Sequence, residues 1–160
     1  MPERKGRESW LPLLRVLLRP LFVTHYARRS TIGRAMEISK YDIEERAKYV
    51  AEARDTAFLD AIFLINYYNR DRKRWGFGPK PEDITPQEVF SEFDENAYED
   101  ALRKSQKLLA ENGLVGMAFF EYQSVTISYE DAAKKLRKEN PGFSDKSYEL
   151  AIHAGIRDMR

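Results

Sequence analysis

The side chains of this 160-residue chain with most chemistry to offer are cations set beside rings. Arg70, Arg72, Lys73 and Arg74 are followed at once by Trp75 and Phe77. Cations interleaved with aromatic faces suit phosphates, stacked bases or an acidic protein surface. The same cations would equally neutralise the carbonyl end of a helix, or dock onto an acidic stretch of the chain itself. A second set, Asn96, Arg103, Lys104 and Lys107, falls at helical spacing. There Arg and Asn can read base edges by paired hydrogen bonds while Lys holds phosphates. The alternative is a solvated helix face on which Glu99–Arg103 and Asp100–Lys104 pair at i,i+4.

A third set is apolar and cationic together: Trp10, Leu14, Arg15, Leu18, Arg19 and Phe22. Arg15 and Arg19 lie one turn apart on a short helix bounded by Pro12 and Pro20. Such a segment suits a partner groove, an anionic membrane surface, a targeting role, or packing into a core or dimer interface. Catalytic patterns are missing from the sequence. It has no phosphate-cradling glycine loop, no nucleophile–histidine–acid arrangement and no carboxylate–histidine metal spacing. With His25 and His153 its only histidines and no cysteine, neither a disulfide framework nor a structural zinc site is expected. The expectation is a non-enzymatic protein with no cofactor and no metal. Asp60, inside the apolar run Ala57–Ile65, reads as the polar edge of a buried helix.

Composition supports a folded chain, since hydrophobic residues make up 42% and charged residues 33%. The lack of cysteine fits a reducing compartment, so a cytoplasmic placement is expected. No apolar stretch reaches the ~20 residues that span a bilayer. A net charge of +1 hides segregation: residues 81–100 carry eight acids and no base, while residues 70–80 carry five bases and one acid. Opposed electrostatic faces are the expectation.

Two regions are read: a basic, apolar arm over 1–35 and a helical domain over 36–160, with a second start at Met36 left open. Ser39, with Asp42 three residues on, caps a long N-terminal helix that runs to Arg72, either unbroken or divided near Asp55-Thr56. Its second half is apolar nearly all round, which requires neighbours on more than one side. Gly76, Gly78, Pro79 and Pro81 end it. Thr85, Pro86 and Glu88 open a short helix. Asp94-Glu95-Asn96 turns into the next, which Asn112-Gly113 closes in the manner of a left-handed cap. Met117–Ile127, rich in aromatic and β-branched residues, is read as two short antiparallel strands. Helices over 131–138 and from Ser144 to Ile156 complete the chain.

In order, Thr85, Glu88, Val89, Phe90 and Phe93, then Leu102, Leu109, Gly113, Leu114 and Val115, then Val125-Thr126-Ile127-Ser128 resemble the winged-helix (helix-turn-helix) superfamily, loosely its bacterial regulators. The resemblance covers about a third of the chain. It implies a mostly α (α+β) fold: a winged-helix-like core with a short β-hairpin, the long N-terminal helix and a C-terminal helix. It also implies that the helix bearing Asn96, Arg103, Lys104 and Lys107 enters the major groove of duplex DNA. The chain departs from the pattern at Phe90, where a small residue is usual, and in a wing that holds no lysine or arginine. Wings that touch DNA bring a cation to the backbone. Two functions stay in play. One is a nucleic-acid-binding regulator. The other is a protein-interaction or assembly (accessory) subunit, with a protein partner or a second copy of itself docking on the acidic 81–100 face and the arm. Attachment to a membrane surface is a third.

Overall fold

The computed structural model describes residues 37–160. Trp10, Leu14, Arg15, Leu18, Arg19 and Phe22, and with them the whole arm, lie outside the described residues. Among those described are seven α-helices and one 3-10 turn: α1 Lys40–Arg54, α2 Phe58–Arg70, the turn Arg72–Arg74, α3 Pro86–Val89, α4 Glu95–Ala110, α5 Gly113–Phe119, α6 Tyr129–Glu139 and α7 Asp145–Asp158.

Four helix starts are made by local capping chemistry. The hydroxyl of Ser39 accepts from the backbone N–H of Asp42 at 3.0 Å, and Asp94 does the same for Ala97 at 2.7 Å. Ser128 caps α6 through the N–H of Asp131, and Ser144 caps α7 through that of Ser147. Each satisfies a backbone donor that the helix itself leaves unpaired. The long N-terminal helix is two helices. Asp55 closes α1 and Ala57 opens α2, after which the chain doubles back: Tyr49 meets Tyr67 and Tyr68 at ring distances of 6.1 and 5.3 Å, and Glu45 pairs with Arg72.

The apolar helix α2 lies at the centre of the described helices and touches α1, α3, α4 and α7. Asp60 to Ile65 are all buried, as are Tyr67 and Tyr68; covering each large side chain contributes about 1.5–3 kcal/mol. Asp60 is only 5% exposed yet fully engaged. One of its oxygens accepts from the Ser144 N–H and hydroxyl, both at 2.9 Å, and from the Ser147 hydroxyl at 2.6 Å. A carboxylate in the first turn of α2 thereby fastens the start of α7.

The winged-helix expectation is overturned. No strand occurs among the described residues, so the β-hairpin and the α+β core are absent and the fold is helical. The first helix of the expected pair is a single turn, Pro86–Val89, because Phe90 turns to extended backbone (φ −112°, ψ 132°) and packs its ring against Phe58 and Phe93. Where the wing should stand, Met117–Phe119 complete α5 and residues 120–128 run as turns and loop. Gly113 does not end α4: Glu111 is the C-cap, and Gly113 begins a new helix in which the N–H groups of Val115 and Gly116 bond to the Asn112 carbonyl at 3.1 and 3.3 Å.

The reason is tertiary. A Cβ on Gly116 would lie 2.1 Å from the carbonyl oxygen of Gly155, and one on Gly155 would lie 2.3 Å from that of Asn112. Two side-chain-free surfaces let α5 and α7 cross in backbone contact, and the Asn112 amide donates to the Ala151 carbonyl at 3.0 Å. This outweighs the strand preference of the aromatic residues, which is in large part a preference for packing context. Helix α5 then stops at a Schellman turn: Tyr122 N–H reaches the Met117 carbonyl and Glu121 N–H that of Ala118, with Glu121 left-handed at φ 52°. Glycine usually occupies that position, and a side chain there costs about 1 kcal/mol.

Alanine is the better helix former by about 1 kcal/mol, so propensity alone would have Gly116→Ala stabilise. The crossing reverses the sign: Gly116→Ala lowers stability by about 2–3 kcal/mol, as a urea melt followed by circular dichroism will read.

Candidate functional site

The basic–aromatic segment follows α2 and is held against α1. Arg72 pairs with Glu45 at 2.9 Å and donates to the Tyr41 hydroxyl at 2.6 Å. Lys73 pairs with Asp83, and Lys80 reaches both carboxylate oxygens of Asp42 at 3.2 Å. Arg70 stands 4.0 Å from Asp71. Burial pushes the Asp71 carboxyl above its ordinary value, against the pull of Arg70 and Arg157. Arg74 is exposed and without an ion pair among the described residues. Of the five cations of this segment, only Arg70 and Arg74 are left with more than a third of their surface in solvent.

Trp75 engages two cations of its own chain: the Arg72 guanidinium lies 5.1 Å from its ring centre and that of Arg157 4.4 Å, so its ring is already used from within. Beyond it, Gly76 (φ 79°) and Gly78 (φ 97°) hold a backbone turn that few other residues tolerate. Between them Phe77 stands entirely in solvent, at 102% relative exposure. Tyr41, Tyr68, Trp75 and Phe77 wall a cleft of about 190 Å³ whose floor carries the Lys80–Asp42 pair.

The second set lies along α4. Arg103 and Lys104 both turn to Asp100, at 3.1 and 2.8 Å; the i,i+4 pair with Asp100 forms, while Arg103 chooses Asp100 over Glu99. The Asp100 carboxyl is held below its usual value first by its hydrogen bond to Lys104, then by that to Arg103. Lys107 approaches Glu111 at 3.7 Å and donates to the Glu139 carbonyl at the end of α6. Asn96 is exposed in the first turn of α4. No hydrogen bond or ion pair among the described residues joins these side chains to Arg70–Arg74. One set is tied to α1 and the other runs toward α6.

The acidic block is anchored too, by residues the sequence did not single out. Arg46 donates through Nη2 to both Glu88 oxygens at 2.8 Å and to the Asp83 carbonyl at 3.1 Å, and through Nε to that of Glu82 at 2.9 Å. Arg54 donates twice to the Glu88 carbonyl. Their spacing of eight on α1 was the available signal, because it sets both guanidiniums on one side of the helix. Arg157, 82 positions after Trp75 in the sequence, left none.

A second exposed aromatic group lies at the other loop. Phe119, Phe120 and Tyr122 are 47%, 37% and 42% exposed. Beside them Val125, Ile127 and Tyr129 line a shallow open groove of about 530 Å³.

Among the described residues no three His, Cys, Asp or Glu side chains gather to hold a metal ion, and no helix is long and apolar enough to cross a membrane. Comparison of the chain with family models, curated proteins and solved structures finds no match.

The Glu88 contacts set a pH dependence. The Thr85 N–H and then Arg46 hold its carboxyl below the usual value. The stability it contributes is therefore complete above the unfolded value of about 4.3 and is lost as pH falls through the folded one. Part of this carboxylate is solvated, which limits the effect. Glu88→Gln should cost about 1 kcal/mol at neutral pH, with the gap to wild type closing below about pH 4 in melts run over a pH series.

Proposed function

We propose that this chain is a non-enzymatic helical module that works by binding another protein, as an assembly or accessory subunit. The observation that carries this reading is the contrast between its rings and its cations. Phe77 on one loop, and Phe119, Phe120 and Tyr122 at the end of α5 and the loop after it, stand exposed, whereas Arg72, Lys73, Lys80, Arg103 and Lys104 are each engaged with an acid of the same chain. Affinity for nucleic acid comes mainly from free cations meeting phosphates. Affinity between proteins is concentrated in exposed aromatic anchors that become buried on contact.

Two measurements test it. Duplex DNA titrated with the full chain between about 50 and 200 mM salt should show no steeply salt-dependent binding; a loss of about a thousandfold across that range would restore the nucleic-acid regulator. In cross-linking from producing cells, Phe77→Ser or Phe120→Ser should each be compared with wild type. Loss of a captured protein with either variant is the expected result, and an identical set with both overturns the reading.

A further inference from the structure

The cleft at Trp75 is lined by Arg72, Lys73 and Lys80, each already paired with an acid of the same chain. The groove after α5 has no cation in its lining. Its rings form a continuous platform: Phe119 meets Phe120 edge-on at 5.1 Å and Tyr129 at 5.7 Å, and Phe120 meets Tyr122 at 6.4 Å. The platform is fixed in advance. The Tyr122 hydroxyl donates to the Met159 carbonyl at 2.9 Å, and the Schellman turn at Glu121 sets the direction in which the loop leaves α5. Rings already held in place lose little freedom when a partner covers them.

The charges that line the groove have one sign, with Lys134 and Arg160 standing outside its lining. No lysine or arginine occurs from Leu108 to Ala133. Asp131 at the edge is taken up by Lys134 at 3.7 Å and by Ser128. Glu121 and Glu130 line the groove, are exposed, and have no ion pair among the described residues. A surface of apolar rings bordered by free carboxylates repels phosphate backbones and anionic lipid headgroups alike. It is complementary to a polypeptide whose apolar anchors are flanked by cations.

Resting on the interaction-module reading above, we propose that the groove formed by Phe119, Tyr122, Val125, Ile127 and Tyr129 docks a segment of a partner protein in which apolar side chains alternate with lysine or arginine. The rings take the apolar side chains, and Glu121 and Glu130 receive the cations. The assignment concerns this groove alone and leaves the Phe77 loop to other contacts.

The probe is a pair of fluorescent amphipathic peptides about four turns long, one of leucine and lysine and one of leucine and glutamate, titrated against the full chain by anisotropy. The lysine peptide should bind and the glutamate peptide should not. Phe120→Ser and Glu121→Lys should each weaken binding about tenfold or more, with Glu121→Gln in between. Glu99→Gln, on the acidic face of α4, should leave it unchanged. Equal binding of the two peptides, indifference to Phe120→Ser and Glu121→Lys, or a loss with Glu99→Gln comparable to that with Glu121→Gln each overturn the assignment. A partner captured in cells through Phe77 alone would likewise overturn the groove while leaving the interaction-module reading in place.

Discussion

The backbone contact between α5 and α7 is the constraint on which the rest depends. It requires Gly116 and Gly155, and it places α7 where its whole length can be used. At the start of α7, Ser144 and Ser147 meet Asp60 of α2. In its middle the Ala151 carbonyl takes the Asn112 amide. Toward its end Arg157 pairs with Asp71 at 3.3 Å and stacks on Trp75, and Met159 receives the Tyr122 hydroxyl. One helix thus ties together α2, α5 and both loops that carry exposed rings. Without the close approach, Trp75 would lose the Arg157 cation and Tyr122 its anchor together.

Charge follows a similar logic of internal use. The sequence separates bases and acids into blocks, and separated blocks suggest opposed faces. In the fold much of that separation is consumed. Lys73 crosses to Asp83, and Arg46 and Arg54 pin the segment through Glu88. Such pairs at the surface contribute little stability each. Their larger effect is on what stays free to act: the rings of Phe77 and of the α5 loop, Arg74, and the carboxylates of Glu121 and Glu130.

What could be read in advance was whatever is decided within one turn of chain. Ser39, Thr85 with Glu88, and Ser144 all mark helix starts because a cap needs only a side chain and a backbone N–H three positions on. The all-round apolar character of α2 announced a central helix. Met117–Ile127 has the composition of strands, and the crossing that draws its first residues into α5 depends on Gly155, 39 positions after Gly116. Gly113 was misread for the same reason, since a glycine that ends one helix looks locally like one that begins another. At the candidate site the cations at 70–74 and 103–107 were visible as residues. The Asp100–Lys104 pair and docking of the first set onto the acidic block that holds Asp83 were open to the sequence; Glu45 as the partner of Arg72, and Arg157 over Trp75, were not, because pairing across elements leaves no periodic trace.

The position of α7 has a consequence for how the chain acquires its structure. The hairpin of α1 and α2 and the capped turns close over short stretches of sequence. The contacts of α7 do not: Ser147 must find Asp60 across 87 residues. Long loops are entropically costly to close, so contacts of this kind are made late and slow the overall rate. Because the same helix carries Gly155, the close crossing with α5 and the Asp60 fastening are reached together only across a long separation of chain.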